Sequence, residues 1–149
     1  MTTAFPGFGS EFETTKQQVL IVTGAHLAAE VFDRPIAYRL RERVLKALGA
    51  GAAPDRVVVC SDLWYLNNDQ LRSLATVSIG GPTVNALTAY LGGRLPSAYT
   101  IEGVLMVQGD WTGETPLACC WGIDASATAA AVEAFEKKYL SEFVAASGG

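Results

Sequence analysis

Apolar residues in this chain follow two rhythms. Residues 18–23 hold Val19, Leu20, Ile21 and Val22 in one unbroken run closed by Gly24. Residues 56–62 repeat the device with Val57, Val58, Val59 and Cys60, and residues 76–79 are a shorter strand-like run, with Val77 and Ile79, before Gly80 and Gly81. Unbroken rather than alternating apolar character predicts strands buried on both faces, as in a parallel sheet. Between these runs the spacing becomes helical. Over 33–48, Ile36, Leu40, Val44 and Ala47 or Leu48 share one face, while Arg39, Arg41, Glu42, Arg43 and Lys46 mostly take the other. Asp33-Arg34-Pro35 reads as the start of this helix, a capping acid followed by proline in the first turn, and Gly49 and Gly51 close it. Residues 25–33 read as a loop or a first helical piece, 69–74 as a short helix, and 83–91 as a helix ended by Gly92 and Gly93.

After that the alternation of strand and helix stops. Residues 100–108 and 116–123 form two strand-like runs joined only by 109–115, too short for a crossover, so the pair reads as an antiparallel hairpin. A long helix follows over 125–146, capped by Asp124, with Val132, Phe135, Tyr139 and Phe143 as its core stripe. The sequence thus predicts a Rossmann-like α/β three-layer sandwich. Its mixed five-stranded sheet combines three parallel strands with a C-terminal hairpin, and helices cover both faces. With the first hairpin strand parallel to the three before it, the turn carrying Asp110 and Trp111 stands beside Gly24 and Gly80-Gly81. The last helix then starts at the opposite edge. Residues 17–149 make one domain, and 1–16 an arm whose Phe5, Phe8 and Phe12 pack on the domain or on a second copy.

Composition narrows the function classes. Half of the 149 residues are apolar and 17% are charged, enough for a sizeable core. The net charge of -4 and the absence of a basic run disfavour nucleic acid as a partner. No apolar run approaches the roughly 18 residues of a membrane span. The N-terminal residues lack the pattern of a secretory signal. Three cysteines, Cys60 and the adjacent Cys119 and Cys120, are an odd set for a disulfide framework and read as reduced, buried thiols in a cytoplasmic protein.

Candidate chemistry gathers at the carboxyl edge of the parallel strands, where open α/β sheets hold ligands. Gly80 and Gly81 let a ligand approach the backbone, Thr83 and Asn85 add side-chain donors, and a helix start favours an anion. Pro82 removes one N–H from that cradle. His26, the only histidine, follows Thr23 and Gly24. As a general base it would need Asp62 or Glu30 to orient it and Ser61 or Cys60 as nucleophile. The candidate ligand-binding set is therefore Gly24, His26, Asp62, Gly80, Gly81, Thr83, Asn85 and Asp110, with no catalytic residue assigned. Trp64, Tyr65 and Trp111 either line that edge or close the core. One histidine and two adjacent cysteines do not make a tetrahedral metal set, since neighbours in a strand face opposite ways. Neither the dinucleotide fingerprint nor the phosphate loop occurs, so no cofactor is expected.

Two stretches carry a resemblance. Ile79-Gly-Gly-Pro-Thr-Val-Asn85, and later Trp121-Gly-Ile-Asp124 with Thr128 before an Ala-rich helix, resemble an α/β module of archaeal S-layer proteins across residues 76–145. The resemblance implies an assembly module without catalytic residues. It also implies structural roles for Gly80, Gly81, Asn85, Asp124 and Thr128, as a turn and two helix caps. Two functions are expected. One is a non-catalytic domain that assembles or binds a partner, as a homodimer through the arm or exposed aromatics. The other is a binding protein or enzyme for an anionic small molecule, such as a nucleotide or phosphate ester.

Overall fold

The computed structural model describes residues 18–148, so the expected N-terminal arm lies outside the described residues. Three parallel strands form as the apolar runs predict: β1 (Val19–Thr23), β2 (Val57–Ser61) and β3 (Ala75–Ile79). After β1 a π turn, Ala29–Asp33, runs directly into α1 (Arg34–Leu48). Asp62–Leu66 is α2, followed by a 3-10 turn at Asp69–Ser73, and Ala86–Leu91 is α3. Then come β4 (Ser97–Ile101), β5 (Leu105–Asp110), β6 (Leu117–Gly122) and α4 (Ala125–Ala146).

Among the described residues the sheet has six strands, in the order β2-β1-β3-β6-β5-β4. The apolar runs predict five. The extra strand arises because 97–110 is two strands and not one. A turn at 102–104, with Gly103 at φ 71°, folds β4 back onto β5. The left-handed conformation of that turn suits glycine. β4 is mostly exposed and lies at the sheet edge, so it lacks the apolar run that marks the buried strands.

The sixth strand changes the directions of those that follow β3. β6, not the strand before it, runs parallel to β3, with Thr76 opposite Leu117 and Ile79 opposite Cys120. β5 is antiparallel to β6 and ends with Asp110 opposite Leu117. The turn carrying Asp110 and Trp111 therefore stands at the amino edge of the parallel strands, contrary to expectation. The start of α4 stands at the carboxyl edge, also contrary to expectation.

Helices lie on both faces. α1 and α4 cover one, where Val19, Ile21, Val77, Ile79, Val107 and Cys120 meet Leu40, Val44, Phe135 and Phe143. Phe135 and Phe143 are fully buried and contribute about 2–3 kcal/mol each by the area they remove from water. Trp111 packs on them, its ring centroid 6.2 Å from each and 5.2 Å from Tyr139. That indole thus closes the core at the amino edge. On the other face Leu20, Val22 and Cys119 meet Tyr65, Leu71, Leu87 and Leu91. All three cysteines are buried and free, and no helix among the described residues is long and apolar enough to cross a membrane.

Candidate functional site at the carboxyl edge

Backbone ends of β1, β2, β3 and β6 meet at one edge, and two side chains tie the first three together. Asp62, 4% exposed at the start of α2, accepts three backbone N–H groups. Its Oδ1 takes Ala25 at 3.0 Å and Leu63 at 2.7 Å, and its Oδ2 takes Ala86 at 2.7 Å. One carboxylate thereby joins the segments after β1, β2 and β3. Asn85 does the rest. Its Nδ2 donates to the carbonyls of Val22 (3.2 Å) and Ile79 (2.8 Å), and its Oδ1 accepts from Leu87 and Thr88 as the cap of α3. Helix α3 accordingly starts at residue 86, and Thr83, expected within it, lies in the turn before it. Gly24 is enclosed beneath this assembly, where a Cβ would overlap the Val84 carbonyl. These residues hold the loops, and their polar atoms face backbone.

His26 is exposed, and its Nδ1 accepts the Ala28 N–H at 3.1 Å as the helix begins. Neither orienting acid nor nucleophile meets it. Asp62 is bound to backbone, Glu30 pairs with Arg34 at 3.6 Å, and Ser61 Oγ caps α2 by accepting Trp64 N–H at 3.2 Å. Burial pushes the Cys60 thiol up to about 12, which removes its thiolate at neutral pH. Asp110 is exposed at the far edge and accepts the Thr112 hydroxyl and N–H, which lower its pKa. The residues named from sequence therefore do not converge around one cavity.

A different residue occupies the crevice. Asp33 reads as a helix cap, but it lies inside a continuous helical run and makes no capping bond. The run starts near residue 27, and the Arg34 N–H reaches Ala29 O, the five-residue return of a π turn. Pro35 explains the loosening: it lacks the N–H that a regular turn would use, and its ring needs room at the preceding turn. Asp33 consequently falls on the buried stripe of Ala29, Ile36, Ala37 and Leu40. Only 6% of it is exposed. Among the described residues its carboxylate has neither a hydrogen bond nor an ion pair, and burial raises its pKa to about 6. Gly80 makes this position possible, because a Cβ there would overlap the Asp33 carboxylate and its φ is 110°.

Asp33 faces a crevice of about 230 Å³ bounded by Phe32, Gly81, Thr83, Val84, Gly122, Ile123, Asp124 and Thr128. Gly81 and Thr83 are the two sequence candidates that line it. The start of α4 forms one wall. Asp124 Oδ1 accepts the Ala127 N–H at 2.8 Å, and Thr128 Oγ1 accepts that of Gly122 at 3.1 Å. Gly122 is required here, since a Cβ would run into Ala127. Two fully buried polar atoms near this edge, Thr23 Oγ1 and Trp121 Nε1, have no partner among the described residues. Of the lining residues, Phe32 and Ile123 are exposed by 55% and 69%, and Leu27 and Val31, on the same helical run as Phe32, are exposed by 77% and 55%.

A larger hollow runs between α1 and α4, where Arg43 pairs with Glu136 at 3.4 Å and Lys137 with Glu133 at 3.6 Å, while Arg39 and Lys46 line it without an ion pair among the described residues. Among the described residues no group of His, Cys, Asp and Glu is arranged to hold a metal ion. Comparison of the sequence with protein-family models and with curated proteins gives no match.

One sequence signal for Asp33 was available. It stands in register with Ile36, Leu40 and Val44, a carboxylate on an apolar stripe. The Asp-Arg-Pro signature of a helix start masked it.

Proposed function

We propose that this chain is a small-molecule-binding α/β domain whose site is the crevice at the carboxyl edge. One observation carries the reading: Asp33 is a buried carboxylate that costs the fold stability and holds nothing together. A pKa raised to about 6 works against the folded state at neutral pH, by at most about 3 kcal/mol and less where solvent screens the charge. Groups of that kind gather where a ligand supplies the missing partner. The crevice lining holds no His, Cys or Lys, so binding is the reading its residues support. A fragment screen by amide chemical shifts tests it. Hits should perturb Gly81, Thr83 and Ala125 together, and a screen whose hits all fall elsewhere would sink the site.

The second reading, a non-catalytic domain acting in assembly or partner binding, is favoured by the exposed Leu27, Val31, Phe32 and Ile123. The resemblance to S-layer modules and a homodimer through the arm belong to this reading. Light scattering separates the two. A dimer abolished by Phe32→Ser with Ile123→Ser would favour assembly, and a monomer at all concentrations would remove it.

A further inference from the structure

The chemistry of the crevice points to the class of its ligand, on the premise that it is a ligand site. We propose that it takes an organic cation, with a primary ammonium or guanidinium head against the Asp33 carboxylate and an apolar body on Phe32 and Ile123.

Charge is the first ground. The lining carries two carboxylates, Asp33 and Asp124, and no Lys or Arg. A phosphate ester would bring further negative charge beside Asp33 with no cation to meet it. The neighbouring cation, Arg34, is engaged elsewhere: it pairs with Glu30 at 3.6 Å and lies 5.7 Å from the Tyr38 ring centroid. Among the described residues Asp33 therefore has no counter-ion, and an external cation would find a largely buried, unpartnered acceptor. Such a pair is stronger than a surface one.

The start of α4 opposes a cation through its dipole, but the Asp124 carboxylate already sits on that terminus and accepts the Ala127 N–H. Shape is the second ground. About 230 Å³ suits a small head group and not a whole ligand of ordinary size. The remainder would lie across the rim, where Phe32 is 55% and Ile123 69% exposed. An aromatic face beside a carboxylate suits an alkylammonium group on both counts.

The test is titration calorimetry on the full chain near pH 8 with phenethylamine, 2-phenylethanol and phenyl phosphate. Phenethylamine should bind in the roughly micromolar to millimolar range, and the neutral alcohol at least about tenfold more weakly. Asp33→Asn should weaken amine binding at least about tenfold while melting no lower than the parent, which separates lost binding from lost folding. Amine affinity unchanged in that variant would overturn the assignment. Binding of phenyl phosphate in the crevice with the amine silent would leave the site standing and overturn only the cation. If none of the three binds and the fragment screen is also empty, site and cation fall together.

Discussion

Asp62 and Asp33 are aspartates of nearly equal burial, 4% and 6% exposed, at one edge of one sheet. Asp62 accepts N–H groups from Ala25, Leu63 and Ala86 and closes three strand ends. Asp33 accepts none among the described residues, and its pKa rises to about 6 through burial. Burial alone thus separates neither role. What differs is supply: the segments after β1 and β3 aim free amides at Asp62, whereas Asp33 emerges from mid-helix, where amides are already committed to the helix. The first carboxylate organises the edge, and the second is held ready there.

Removing each should have opposite consequences. Asp62→Ala leaves three backbone N–H groups without their acceptor and should cost roughly 3–5 kcal/mol in urea unfolding. A loss under about 1 kcal/mol would erase the contrast. Asp33→Asn should instead stabilise the protein, by up to about 3 kcal/mol near pH 8.

The pH dependence has a definite sign. An acid with a raised folded-state pKa keeps its proton longer when folded, so stability falls as pH rises from the ordinary carboxylate range through about 6, then levels. Glu136, raised by burial despite Arg43, adds in the same direction. The Asp33→Asn variant should lose most of that slope, and an unchanged slope would assign it to Glu136.

Gly80→Ala combines a strained φ with an overlap on the Asp33 carboxylate and should cost about 2 kcal/mol. In an Asp33→Ala background only the backbone part should remain, and an equal cost in both would mean that the side chains do not meet. Least affected should be Phe32→Ser, whose ring is half exposed. Its stability should stay within about 0.5 kcal/mol while binding at the crevice weakens.

The parallel strands, α1 and α4 were legible because each depends on local periodicity, and Val19, Val57 and Val77 fall where the apolar runs put them. β4 was not, since Ser97, Thr100 and Ile101 are exposed on an edge and leave no apolar run. That one omission moved Asp110 and Trp111 to the wrong edge and sent Asp124 away from the crevice it borders. Asp62 and Asn85 were correctly placed at the carboxyl edge, yet their work as staples depends on backbone groups from distant segments. Such pairing has no sequence period.

The π turn at Ala29–Asp33 carries a consequence for how this fold could vary in length. A five-residue return is an α-helix with one residue inserted, so deleting Val31 would restore regular winding rather than break the helix. The Arg34 N–H to Ala29 O bond would become an ordinary four-residue return, so the segment before the deletion would keep its face. Asp33 would keep its inward place beside Gly80. A homologue one residue shorter between Gly24 and Pro35 would thus keep both the buried acid and the faces on either side of the turn, and a single indel here would be absorbed in the winding of one turn.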